Sequence, residues 1–319
     1  MRKLLYAGLV ITGILSVSAF SFSLYRSWQL PLLAREQAPL LFYHFSLYIP
    51  DTRNSFFNEI IRGAEIAAAE LNYAISVHSI DPARNELENA AFSGVDGVIV
   101  YPHLDSALAR RQMEQFRTQQ IPAVLINQNL PSDQPWPFIG INNFELGRRI
   151  GHILSDSPDR IGLAVVYSEK APGIYTERNL VEMGIATSLG ELLSGSIMSF
   201  QTNFNPLDAE ALLAAMFRNP ISQERSLINT IIFTDPEDTI AAAQALVDLN
   251  LVGQLRIIGF GADPGVIENV QKGIISASVV IDSQRIGYEA VYSLAALLTT
   301  GFTSASTDIE IEIINRDLQ

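Results

Sequence analysis

Apolar side chains at Ile60, Ile61, Ala64, Ala67, Ala68 and Leu71 recur at the spacing of one helix face. They follow Asn54 and Ser55, both residues suited to cap a helix. The pattern predicts an amphipathic helix closing at Leu71, entered through a polar turn from a strand that ends near Ile49. Phe56 and Phe57 stand at the mouth of this helix, where the strands of an open α/β sheet hand over to their helices and small molecules bind. The ordinary reading is that both rings pack inward, since buried aromatics are usually core.

From residue 41 short apolar runs alternate with helical segments almost to the end of the chain. In the first half the runs are residues 41–49, 74–80, 95–101, 123–127 and 138–141, and this alternation implies a parallel sheet covered on both faces. A second series opens with a helix carrying Leu146, Ile150 and Ile153, followed by strands at 161–167, 196–201, 230–233, 256–259 and 275–281. Gly190, Gly195, Asn219, Pro220, Gly253 and Gly273 supply the stops between them. A last helix carries Ile286, Ala290, Leu294 and Leu297, and an alternating run at 309–314 closes the chain. Two Rossmann-like α/β lobes with parallel sheets fit this series better than one large sheet.

Ahead of the lobes, Met1, Arg2 and Lys3 precede an uncharged apolar run at 4–25. It reads as an export signal: Val17 and Ala19 offer a cleavage site, and the run is also long enough to cross a ~30 Å hydrocarbon core as an anchor. In either case the chain beyond Arg26 is expected in the periplasm or cell envelope, with the inner membrane as a partner if the segment is retained. Residues 26–40, with Pro31 and Pro39, read as a tether.

Composition narrows the chemistry. The 319 residues, 48% hydrophobic and 17% charged, are enough for two lobes with their own cores. A net charge of -13 argues against a nucleic-acid partner, and the absence of cysteine excludes disulfides, thiol catalysis and zinc thiolates. His44, His78, His103 and His152 share no metal-site spacing and read as surface or loop residues. No Gly-x-Ser-x-Gly elbow occurs, and no carboxylate pair is marked as acid and base. Gly259, Gly261 and Gly265, with Asp282 beyond them, have the outline of a dinucleotide fingerprint, but the spacing is imperfect and it comes late in the chain. No enzyme, cofactor or metal is expected.

Several tags together carry a resemblance. Asn54-Ser55-Phe56-Phe57, Gly94-Val95-Asp96-Gly97-Val98-Ile99, Ile121-Pro122-Ala123-Val124, Asn142-Asn143 with Gly147, and Ile257-Ile258-Gly259-Phe260 with Gly273 and Gly287 occur in an order that resembles the type I periplasmic sugar-binding proteins, the ribose-binding-protein and LacI-like superfamily. The resemblance implies two lobes joined by a three-strand hinge, with chain crossings near Ile141, Ile281 and Thr307. The first lobe would comprise residues 41–141 plus 282–306, and the second 142–281 plus 307–319. It also implies a sugar or polyol ligand held between closing lobes, delivered to an ABC permease or sensed by a membrane sensor.

Carried over residue by residue, Asn54, Phe56 and Phe57 match first-lobe ligand contacts, and Phe204 falls where the second lobe supplies another ring. The polar side departs from the family pattern. Asn127-Gln128 stands where sugar binders have Asp-Arg, and Val181 stands where they have arginine, with Arg178 one turn earlier. Asp235-Pro236-Glu237 replaces Asn-Asp, Gly261 replaces an aspartate, and Ile281 replaces the hinge glutamine. Asp235, Asp263 and Asp282 lie close to the vacated positions and, with Asn127, are expected to recruit a different polyol or a cationic solute. Each aspartate is equally placed to cap a helix or turn.

Overall fold

The structure is a computed structural model, and it describes residues 16–23, 25, 43–50, 55–80, 87, 90–102, 106–156, 159–169, 171, 174, 177–203, 205, 207–218 and 228–316. The chain divides into two compact units, Met1–Phe42 and Tyr43–Gln319. In the first, residues 16–23 and 25 are helical. The rest of the expected export or anchor run, and the tether at 26–40, lie outside the described residues. Among the described residues no helix is long and apolar enough to cross a membrane.

In the second unit the chain runs β1 (His44–Ile49), α1 (Ser55–Leu71), β2 (Ala74–Ser79), β3 (Gly97–Val100), α2 (Ser106–Thr118), β4 (Ala123–Ile126), β5 (Phe138–Gly140) and α3 (Asn143–Ser155). It continues through β6 (Leu163–Ser168), α4 (Arg178–Leu189), β7 (Met198–Thr202), α5 (Asp208–Arg218), β8 (Thr230–Phe233), α6 (Pro236–Asp248) and β9 (Arg256–Phe260). Last come α7 (Pro264–Gln271), β10 (Ala277–Ile281), α8 (Ser283–Thr300), β11 (Ser306–Asp308) and β12 (Ile311–Asn315).

The strands form two six-stranded sheets, ordered β11-β5-β4-β3-β1-β2 and β12-β10-β9-β8-β6-β7. Every pairing is parallel except that of β12 with β10. The inner strands β3, β4 and β8 are buried on both faces, which is why their sequences are almost continuously apolar, whereas the edge strands β2 and β7 are partly exposed and mix in polar residues. In β1, Phe45, Leu47 and Ile49 join the core under α1 and α8, whereas Tyr48 joins Ala109, Met113 and Phe116 of α2 on the other face. The second sheet repeats this arrangement. Val165 and Ile232 pack with α3 and α4, and Val166 and Phe233 pack with Leu213 of α5 and Leu246 of α6.

Close helix crossings lock each lobe. A Cβ on Gly63 would stand 1.8 Å from the Gln284 carbonyl oxygen, and one on Gly147 would stand 2.1 Å from that of Val181. Both α1–α8 and α3–α4 therefore touch backbone to backbone, a separation that only glycine permits.

Three crossings link the sheets, at residues 141–142, 281–282 and 309–310. The third comes later than the resemblance implies. Thr307 still pairs with Ile139 in the first sheet, and Ile309 N donates to Gly140 O at 2.7 Å before the chain passes to β12. Ile141, Ile309 and Ile311 are buried there, so one apolar cluster runs through the crossings from lobe to lobe.

Candidate functional site

The parallel strands of both sheets end at a shared cleft of about 1090 Å³, a volume at the upper end of small-molecule sites. The first lobe contributes Ser55, Phe56 and Glu59 from the start of α1, Asn127 from the end of β4, and Ser283 and Gln284 from α8. The second contributes Ala171, Ile174, Thr234, Asp235, Phe260 and Asp263. Arg149, Asp282, Glu310 and Glu312 line it close to the crossings. Carboxyl ends of parallel strands are where such sheets receive ligands, because helix N-termini and loops converge there.

Each wall is held by local hydrogen bonding. On the first lobe Asn127 turns the chain out of β4 with a left-handed φ of 59°, a conformation asparagine tolerates. Its backbone N–H still donates to Ile139 O at 2.8 Å, which keeps it in the sheet. The residue is 6% exposed, and no described residue supplies a hydrogen bond to its side-chain amide.

On the second lobe Asp235 caps α6, with Oδ1 accepting from Glu237 N at 3.0 Å and Asp238 N at 3.1 Å. Thr234 Oγ1 accepts from Ser168 N at 3.0 Å and donates to Val166 O at 3.3 Å, tying the end of β8 to β6. Thr239 Oγ1 donates to Asp235 O at 2.7 Å and accepts from Phe260 N at 3.1 Å, which fixes the end of β9 to the same helix. Behind them the buried Thr202 hydroxyl donates to the buried Asp238 carboxylate, joining β7 to α6.

Five of the residues singled out in the sequence, Phe56, Asn127, Asp235, Asp263 and Asp282, line this one cleft. Asp282 caps α8 by accepting from Arg285 N at 2.9 Å. Asp263 stands at the start of α7 without a side-chain cap hydrogen bond. Both readings of these aspartates, cap and cleft lining, therefore apply to Asp235 and Asp282, and only the second to Asp263.

Three expected residues do not reach the cleft. Phe57 is turned into the core, edge-on to Tyr101 with centroids 5.2 Å apart. Neighbours on a helix point about 100° apart, so Phe57 shares the apolar face of Ile60 and Ala64 while Phe56 faces the cleft with Glu59. Gln128 is buried beyond the lining. Arg178, the first residue of α4, has an exposed side chain, and its carbonyl faces the Tyr167 hydroxyl at 3.4 Å. Val181 one turn on is buried, with its backbone carbonyl against Gly147.

Asn54 and Phe204 lie outside the described residues. Among the described residues Phe260 lines the second-lobe wall, although it is 4% exposed and belongs to the same apolar cluster as Phe57. Sequence reasoning missed Phe260 as a site residue, along with Thr234, Arg149, Glu310 and Glu312. Only the Gly-Phe pair after a strand could have pointed to Phe260.

Charge in the cleft is one-sided. Among the described lining residues Glu59, Asp235, Asp263, Asp282, Glu310 and Glu312 are acidic, and Arg149 is the one base. The Arg149 guanidinium is already engaged, donating to Ile311 O at 2.5 Å and lying 3.6 Å from a Glu145 oxygen. Among the described residues no three acidic or histidine side chains converge as a metal site would need.

No curated protein sequence matches the chain significantly. Solved structures do. The glucose-galactose binding protein GanP from Geobacillus stearothermophilus is 22% identical, with 86% of this chain and 98% of that one covered and a TM-score of 0.73. A sugar-binding protein of a sugar ABC transporter from Bacillus halodurans is 17% identical, covering 86% and 98%, with a TM-score of 0.71. XylFII, solved in a complex with LytSN, is 21% identical, covering 88% and 99%, with a TM-score of 0.70. These likenesses share the two-sheet fold, and the family described as "Periplasmic binding protein domain" matches residues 45–301; the chain belongs to the periplasmic binding protein family.

Proposed function

We propose that this protein is an extracytoplasmic solute-binding protein that captures a small carbohydrate-like molecule between its lobes and delivers it to an ABC-type importer. The reading rests on one observation above others: a cleft at the carboxyl ends of both sheets, walled by both lobes and bordered by the crossings at 281–282 and 309–310. Ligand contacts made to both walls favour the closed arrangement, and a hinge through the crossings lets the lobes meet. Phe56, half-buried at the cleft, would cover an apolar face of a sugar ring. Neighbours of this fold include a glucose-galactose binding protein and a sugar ABC transporter component, which supports the ligand class and the destination. The family is one of binding proteins and not of enzymes.

A second reading has the protein tethered to the membrane and its closed form read by a sensor. It is favoured by the neighbour solved together with a second molecule, LytSN.

A thermal-shift screen of glucose, galactose and other neutral sugars tests the binding reading. A ligand at a hundred times its Kd stabilises the folded state by about 2.7 kcal/mol, a rise of several degrees. Loss of uptake of that ligand on deletion of the gene supports the importer. Unchanged uptake rejects it, and capture of a sensor ectodomain then favours the second reading.

A further inference from the structure

We infer that the cleft is built for a sugar-sized polyol that carries a protonated amine, and that Asp263 and Asn127 receive that amine. The inference rests on the carbohydrate-like reading above and narrows it. Two independent observations carry it.

The first is the balance of charge. Six carboxylates line the described cleft, and Arg149 is turned to the Ile311 carbonyl and to Glu145. These acids are not equivalent. Asp235 and Asp282 are engaged as helix caps, accepting backbone N–H groups, whereas Asp263 at the start of α7 accepts none with its side chain. Glu59 has Arg62 3.8 Å away. Asp263, Glu310 and Glu312 have no ion pair or side-chain hydrogen bond with any described residue, and all three face the same space. A low-dielectric cleft concentrates the field of such groups and favours a cation over a neutral solute.

The second observation is the Asn127 side chain, 6% exposed, on the opposite wall, and without a hydrogen-bond partner among the described residues. Its amide is not sealed off but opens onto the cleft, where a ligand can take up its hydrogen-bonding capacity. Its oxygen accepts from an ammonium and its nitrogen donates to a hydroxyl. A metal ion does not fit as the cation, since the acids are spread along the cleft rather than convergent. An organic cation long enough to touch both walls does fit.

The test compares glucose and galactose with glucosamine and galactosamine by calorimetry and thermal shift, on the wild type and on Asp263→Asn. An amino sugar is expected to bind about tenfold or more tightly than its neutral parent, the size of one charge-assisted hydrogen bond. High salt should erode that advantage, and on Asp263→Asn the amino sugar should bind no more tightly than its neutral parent measured on the same variant. If Asp263→Asn lowers the melting temperature of the free protein, the salt dependence on the wild type decides instead. A neutral parent that binds as well as its amine overturns this inference and leaves the binding-protein reading standing. If neither sugars nor amino sugars stabilise the protein, both fall.

Discussion

Replacing Gly184 by alanine tests the helix crossing that supports the second lobe. The added Cβ would stand 2.1 Å from the Phe144 carbonyl oxygen, 2.8 Å from Arg148 N and 3.0 Å from Gly147 Cα. Ordinary contact begins at 3.4 Å, so α3 and α4 must part by 3.4 − 2.1 = 1.3 Å. The obstacle is backbone, which no rotamer change can clear. Overpacking costs about 1–3 kcal/mol, and alanine returns about 1 kcal/mol of helix propensity over glycine. Parting the helices also loosens Ile150, Leu154, Val181 and Ile185, all buried at that interface, which puts the cost at its upper end. The net loss is about 2 kcal/mol, or roughly 4–8 °C in melting temperature for a unit of this size. Gly147→Ala meets the same crossing from the other side, 2.1 Å from the Val181 oxygen, so the double variant should lose less than the sum. Calorimetric melting of the three variants checks this. An unchanged or raised melting temperature for Gly184→Ala would refute the backbone contact, and strictly additive losses would refute the shared crossing.

Three further outcomes are expected from the hydrogen bonding and burial. Burial, with the Glu182 carboxylate beside it, pushes the Tyr167 phenol up from 10.0. Below pH 10 folded and unfolded chains both hold this proton, while above it only the unfolded chain releases it. Stability therefore falls as pH rises, by about 1.4 kcal/mol per unit from this residue. Urea titrations on either side of pH 10 should show a flatter decline for Tyr167→Phe, and an identical decline rejects the assignment. Thr202→Val removes the hydroxyl that donates to buried Asp238. The expected cost is about 1.5–3 kcal/mol in chemical denaturation, largely restored by Thr202→Ser; a loss no larger than at an exposed threonine would count against it. Asn127→Gly keeps the left-handed turn and removes the amide. Stability should hold while ligand affinity drops about tenfold, and unchanged affinity would mean the amide is not used.

Much of the fold is legible in the chain because parallel strands are short apolar runs bounded by strong stops. Residues 230–233 are read as a strand with the ends the structure gives them, Thr230–Phe233. β11 escapes this reading. Ser306–Asp308 is a three-residue edge strand of polar side chains, held by its pairing with β5 rather than by its own pattern. The cleft is less legible, since its members come from distant segments that meet only through the crossings. Asp235 and Asp282 announce themselves by preceding helices, but Arg149, Glu310 and Glu312 look like ordinary surface charges until β12 is laid beside β10. The division of labour between Phe56 and Phe57 is decided by a single helical step. Sequence spacing held that distinction, but only the face chosen by Ile60 and Ala64 revealed it.

The contact between α1 and α8 bears on how the protein is made. A ribosome that has reached the end of β10 has exposed all five parallel strands of the second sheet, yet the Ile60 and Gly63 side of α1 still waits for a helix that begins 283 − 71 = 212 positions after α1 ends. Such a late pairing slows assembly. A chain interrupted ahead of Ser283 would leave an uncovered apolar surface, an invitation to aggregation rather than a smaller folded protein.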